Sequence, residues 1–204
     1  DIRVAGPSPG PTLGGTATAF DDGRVVVVQG GYAFAWDPSA RKWTPTQLQP
    51  ERHFHAATKT SDGRIVVTGG SPVDGSRGGQ ANAVGVTQVF KSEGNYWEAG
   101  PGLITPRIAH AAVAMPNNGV LVIGGSSSVS HGVAFGPLLA SVEAVGENTT
   151  TKRRSLGTAR AYHTATVLRD GRVLVIGGIG DDGNALASVE IYDPQDDSWQ
   201  VGPA

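Results

Sequence analysis

Three tetrads of the form Arg-x-x-His, running from Arg52 to His55, Arg107 to His110 and Arg160 to His163, carry the side chains of this chain best suited to chemistry. Three imidazoles brought together could hold zinc or copper. A guanidinium is a planar fork of donors that suits a carboxylate or another acidic partner. Repetition points elsewhere for the imidazoles, because a residue that recurs at one place in every repeat usually serves the geometry of that repeat. His55, His110 and His163 are therefore expected to hydrogen-bond a loop of the neighbouring repeat. Arg52, Arg107 and Arg160 are candidate contacts for an acidic ligand, with ion pairs between repeats as the competing reading.

Other motifs carry less. Gly6-Pro-Ser-Pro-Gly10 fits the G-x-S-x-G pattern, but a nucleophile there needs a strand entering a strained turn and a helix, and this serine lies between prolines. Gly178-Ile-Gly-Asp-Asp-Gly183 fits G-x-G-x-x-G, yet a strand rather than a pyrophosphate-binding helix is expected next, and paired aspartates repel phosphate. Asp181-Asp-Gly-Asn184 offers few of the oxygens that calcium needs and reads as a polar turn. Asn148-Thr-Thr150 is a glycosylation sequon, meaningful only in a eukaryotic secretory pathway. No catalytic residue, metal or cofactor is expected.

Composition narrows the classes. The 204 residues include 30 glycines, no cysteine, 17% charged and 39% hydrophobic residues, with a net charge of −2. Abundant glycine predicts many turns, and the apolar content is enough to offset chain entropy. The absence of cysteine removes disulfide, thiolate-metal and cysteine-nucleophile chemistry. No basic patch is dense enough for nucleic acid, and no apolar run reaches the roughly 18 residues of a membrane helix, so neither nucleic acid nor membrane insertion is expected. The chain starts at Asp1 with no charged-then-apolar leader, which reads as excision from a longer chain or removal of a signal peptide.

The elements that position the tetrads repeat with them. His163 stands 14 residues before the doublet Gly177-Gly178, as His55 stands before Gly69-Gly70 and His110 before Gly124-Gly125. Between them, short β-branched segments flank Asp62-Gly63, Asn118-Gly119 and Asp170-Gly171, a strong hairpin signal. Each doublet ends a second strand where positive φ or close approach excludes a Cβ. A third strand follows, as in Val189 to Tyr192, then a turn, then a fourth strand opened by Trp199, Trp97 or Trp43. In the third copy Val145 replaces the aromatic, and Lys152 stands seven residues on, at the expected tryptophan position. A front copy has Thr12 and Gly15 in place of arginine and histidine.

A period of roughly 50 residues built from four strands is the sequence signature of a propeller. The doublets, the Tyr192 or Phe90 position and the tryptophans in register make the chain resemble kelch repeats, in wording most like those of bacterial secreted or surface proteins and more distantly like the galactose-oxidase propeller. The resemblance implies an all-β kelch β-propeller of four four-stranded blades around a channel, first strand innermost, and an extracellular or cell-surface location. The small pairs Ala56-Ala57 and Ala111-Ala112 agree with strands crowded at an axis. Residues 1–204 then form one propeller segment, with residues 1–11 as an outer strand or leader and blades at 12–50, 51–103, 104–156 and 157–204. Ile2 to Pro7 parallels Trp97 to Pro101, which leaves one strand more than four blades can use. The expectation is a portion of a six- or seven-bladed ring, with association between chains or a small closed ring as alternatives.

In kelch propellers the loop holding the arginines and the loop between second and third strands share one face. Two long loops, Ser71 to Gly85 with Asp74 and Arg77, and Ser126 to Leu138 with His131 and Phe135, should therefore cluster there, and loops of that length are uncommon unless functional or disordered. The reading is a non-catalytic module that binds a protein or carbohydrate through this face. The alternatives are part of an enzyme on a propeller scaffold, of the galactose-oxidase or sialate-mutarotase kind, or a structural protein that associates through blade edges. The copper-radical oxidases need a cysteine crosslinked to tyrosine, which this sequence lacks.

Overall fold

The computed structural model describes residues 15–46, 51–73, 80–131 and 133–202. All its regular elements are strands. The first meander comprises β1 (Thr16–Ala19), β2 (Val25–Gln29), β3 (Tyr32–Asp37) and β4 (Lys42–Thr46); the second comprises β5 (Ala56–Lys59), β6 (Ile65–Thr68), β8 (Thr87–Lys91) and β9 (Tyr96–Ala99). The third contains β10 (Ala111–Ala114), β11 (Val120–Ile123), β14 (Val142–Val145) and β15 (Thr150–Arg153), and the fourth β16 (Thr164–Val167), β17 (Val173–Ile176), β18 (Val189–Asp193) and β19 (Ser198–Val201). Every pairing is antiparallel and each meander keeps its order within one sheet. The first strands β1, β5, β10 and β16 adjoin one another in that succession, which makes the sheets radial blades about a common axis.

The cores lie in the seams between blades. Along β6, Ile65 and Val67 face Phe20, Val26 and Val28 of blade 1, whereas Val66 faces Val120, Val122 and Val145 of blade 3. Along β11, Leu121 and Ile123 face Val173, Val175 and Tyr192 of blade 4. Side chains alternate across a strand, so a strand covered on both faces must be apolar throughout, as Ile65-Val-Val and Val120-Leu-Val-Ile123 are. The outermost blades lack that double cover. Ile176 is 43% exposed while Val175 is buried.

The glycine doublets behave as close-approach points. Gly69 and Gly70 have φ of +62° and +107°, and a Cβ on Gly69 would stand 2.3 Å from the Arg107 carbonyl oxygen and 2.8 Å from the His110 ring. Gly124 meets Arg160 and His163 in the same way.

Three expectations change or fall outside the described residues. Thr150, not Lys152, occupies the tryptophan position of blade 3: Val145 pairs with Thr150 as Tyr192 pairs with Trp199, and Lys152 pairs with Glu143. The connecting turn of blade 3 is two residues shorter, which a fixed count from Val145 misses. The two long loops are not structureless. Gln80–Asn82 forms β7, Ser126–Ser130 β12 and Val133–Leu138 β13, joined in one antiparallel sheet in the order β13-β12-β7. Loops from adjacent blades at one height satisfy each other's backbone groups. The leader, Thr12, Asp74 and Arg77 lie outside the described residues.

Candidate functional site

Each tetrad builds one step of the channel mouth. Its third residue, Phe54, Ala109 or Tyr162, adopts φ of +57°, +50° or +56°, a left-handed conformation that costs a side-chain-bearing residue about 1–3 kcal/mol unless the surroundings hold it. They do. Ala109 donates its amide to Phe54 O at 3.0 Å and Tyr162 donates to Ala109 O at 2.9 Å, so the strained residues link blade to blade around the mouth. Gly70 N–H donates to Arg107 O, and Gly125 N–H to Arg160 O.

The arginine side chains point inward to their own blades. Arg52, Arg107 and Arg160 are all completely buried. Arg160 donates to Gly177 O, Ser188 O and Oγ, and Glu190 Oε1 at 2.8 Å. Arg107 repeats the set with Gly124, Ser141 and Glu143. The two carboxylates also accept backbone amides, Ile104 and Thr105 on Glu143, and Gly157 and Thr158 on Glu190. In blade 2 the partner is neutral Gln88, 2.7 Å from Arg52, and burial pulls the Arg52 guanidinium down to about 10. The ligand-contact reading of these arginines is thereby corrected: fully satisfied and without exposed surface, they hold the second, third and linking segments of one blade together. The ion pairs of Arg107 and Arg160 are within blades rather than between them.

The histidines do cross the seams. His55 Nε2 lies 2.9 Å from Thr16 Oγ1, and His110 Nε2 lies 2.9 Å from Thr68 Oγ1. Both partners are strand residues of the preceding blade, not loop residues. The corresponding places facing His163 are Ala111 and Ile123, neither with a hydroxyl. Burial among arginines holds all three rings neutral, with His55 pulled down to about 3, His163 to about 4 and His110 well below the usual range. No cluster of three metal-ligating side chains occurs among the described residues. The tryptophans form cross-strand pairs, Trp36 with Trp43, Phe90 with Trp97 and Tyr192 with Trp199, at 5.0 to 5.4 Å between ring centroids. Trp97 donates to Thr46 Oγ1 and Trp199 to Arg154 O, each in the preceding blade.

What the rim presents to solvent is the small sheet of β7, β12 and β13. It packs Ala83 and Val129 on Ile108, with Phe54, Ala81, Ala109 and Ala134 at the margin. Tyr162, from blade 4, accepts the Ala134 amide on its hydroxyl at 2.6 Å. His131 turns the β12-β13 hairpin with φ of +50° and holds Ser130 Oγ at 2.9 Å. Gln80, Asn82, His131 and Val133 are exposed beside it. Phe135 lies on β13 opposite Ser128. The Gly178 to Gly183 segment is a tight turn in which Asp182 binds the backbone and side chain of Asn184, so its carboxylate is engaged as a loop residue.

Glu143, Glu190 and Tyr162 escaped the sequence reading. The two glutamates had a legible signal, since each stands two residues before the aromatic position of its third strand, and Gln88 stands there in blade 2.

Radial four-stranded meanders cored in their seams define a β-propeller. The family model of the kelch motif matches its last repeat, residues 159–204. The chain is 32% identical over 115 residues to alpha-scruin of Limulus polyphemus, covering 54% of this chain and 12% of that protein. It is 26% identical over 199 residues to human kelch-like protein 34, covering 93% of this chain and 27% of that protein. A fungal alcohol oxidase of the AA5 family, solved in complex with copper, superposes with a TM-score of 0.53 at 17% identity, over 93% of this chain and 53% of that one. That likeness is one of fold. The chain spans about a quarter or less of the curated relatives named. The chain is a β-propeller, and its residues 159–204 carry a kelch motif.

Proposed function

We propose that this propeller is a non-catalytic protein-binding module whose contact surface is the rim sheet of β7, β12 and β13. The observation that carries the reading is that two long loops from adjacent blades are built into one sheet, anchored from a third blade by Tyr162, and expose His131 and Val133 at its edge. A segment that only covered a blade top would have no need of ordered exposed apolar groups. The tetrad arginines are consumed inside their own blades and the tetrad imidazoles are buried and held neutral, so neither presents a reactive group at the mouth. The kelch relatives support a protein partner.

The test is site-specific photocrosslinking from position 133, and from Ser39 on a blade 1 turn as control, in extracts of the cells that make the protein. One protein captured from 133 and absent from 39 is expected; capture from both alike, or from 39 only, contradicts the reading. An extracellular or surface location belongs to the same proposal, and cell fractionation tests it.

Association through blade edges is a second reading, favoured by one observation. A Cβ on Gly177 would find only Leu186 O at 3.6 Å, where Gly69 and Gly124 each meet a following blade. Trp43 Nε1 likewise has no partner among the described residues, unlike Trp97 and Trp199. Both outer faces are shaped to take another blade, and sedimentation of the purified chain distinguishes self-association from a monomer.

A further inference from the structure

The seams between blades are not alike near the first-strand hairpins. Between blades 1 and 2 the space is filled by Arg24, whose guanidinium lies 5.1 Å over the Phe20 ring, donates to Asp22 at 2.7 Å and reaches Ser92 O across the seam at 2.9 Å. The corresponding seam between blades 3 and 4 has Met115 at the Phe20 position, Asn117 at that of Asp22 and Gly119 at that of Arg24. With the arginine gone, a cleft of about 230 Å³ opens there, closed on the far side by Tyr192 and Pro194. Gly119 is not free to regrow the filler, since a Cβ on it would stand 3.0 Å from Val145 O.

The charge pattern changes with the shape. Asp22 and Arg24 compensate each other in the first seam; in the open seam neutral residues replace both, and the outer strand carries Arg153 at the register position of Thr46. Arg153 lines the cleft together with Thr149 and Thr151. It forms no ion pair among the described residues. The nearby Asp197 is committed to the Tyr192 hydroxyl at 2.7 Å and the Arg154 amide at 2.9 Å. The lining is thus apolar at Met115, Val120 and the Tyr192 ring, and offers a cation and hydroxyls at Arg153, Thr149 and Thr151.

We propose that the cleft between blades 3 and 4 is a binding site for a carboxylate carried on a small apolar body, with Arg153 as its counter-ion and Met115 and Tyr192 as the walls for the body. Convergent polar groups beside an apolar surface are the usual make-up of a small-ligand site, and a guanidinium whose neighbouring carboxylate, Asp197, is out of ion-pair reach and already hydrogen-bonded elsewhere can receive another. The carboxylate can belong to a free acid or to an acidic side chain next to an apolar residue in a partner protein. The site is independent of the rim.

Titration of the ¹⁵N-labelled protein tests it, with phenylacetate against phenylacetamide and the capped dipeptide Asp-Phe against Asn-Phe. Saturable shifts are expected at Gly119, Val145 and Thr151, with each acid binding at least tenfold more tightly than its amide; the tighter of the two acids names the source. Arg153→Ala should weaken the acid at least tenfold and Arg153→Lys partly restore it. Met115→Phe, which copies Phe20, should block both acid and amide. Equal binding of acid and amide, an unaltered affinity in Arg153→Ala, or shifts away from this seam would overturn the proposal. Arg153 is exposed on an outer strand, so its variants decide the matter even if Met115→Phe does not fold.

Discussion

The amide of Gly70 donates to the carbonyl of Arg107 at 2.9 Å across the seam between blades 2 and 3, and its neighbour Gly69 brings the two backbones so near that no side chain fits between them. The same pair recurs one blade on as Gly125 with Arg160. At this point of the seam the contact between blades is made by main chain, and the arginine that supplies the carbonyl spends its side chain inside its own blade.

Gly69→Ala and Gly177→Ala should separate sharply. Both glycines have positive φ, +62° and +67°, so alanine costs each about 1 kcal/mol from the backbone alone. At Gly69 the new Cβ also stands 2.3 Å from Arg107 O, and the seam must part, which raises the expected loss to about 3 kcal/mol or more. Urea unfolding of the two variants measures the difference.

Truncating Glu143 to alanine strands the Arg107 guanidinium in the core and frees two backbone amides, an expected cost of about 3–5 kcal/mol. Glu143→Gln copies the Gln88 arrangement of blade 2 and should cost about 1–2 kcal/mol. Equal losses in thermal unfolding would mean that hydrogen bonding to the carboxylate is unimportant.

Much of this was open to reading from the residues. The 14-residue interval from histidine to glycine doublet, the Asp-Gly turns and the aromatic at the end of the third strand mark the blades because each reflects local backbone need. The arginines were misplaced because a charged residue beside a turn ordinarily faces water, and the partners that bury them, Glu143 and Glu190, lie 36 and 30 residues downstream in the folded pairings. The rim sheet left no trace, since Ser126-Ser-Ser-Val-Ser130 has no apolar alternation and its pairing partner β7 belongs to another blade. A seven-residue count from Val145 points to Lys152, whereas the turn in blade 3 is two residues shorter and puts Thr150 at the tryptophan position.

Stability should fall as the solution is acidified through the histidine range. The folded-state values of His55, His110 and His163 lie below the unfolded value near 6.5, so the unfolded chain binds more protons between pH 6.5 and about 4. Their contribution is complete above pH 6.5 and is lost on descent, by about 1.4 kcal/mol per pH unit for each ring. His163 has no hydroxyl partner, so His163→Leu should flatten that slope by about a third of the three-ring contribution while leaving neutral-pH stability within about 1 kcal/mol. Denaturant midpoints at pH 7, 6, 5 and 4.5 check it.

Trp199→Phe removes the indole donor to Arg154 O at 2.7 Å and should cost about 1–2 kcal/mol. Trp43→Phe, at a nitrogen without a described partner, should cost less. Chemical unfolding of both variants gives the comparison, and an equal cost would contradict the stitching role of the outer-strand tryptophans.

Recognition at the rim is tested most directly by affinity for the protein crosslinked from position 133. Val133→Asp places a charge on the exposed edge of β13, and the affinity measured by calorimetry should fall at least tenfold, while Ser39→Asp on a blade 1 turn leaves it within twofold. Unchanged affinity in Val133→Asp, or an equal loss in both variants, would contradict a rim-binding module.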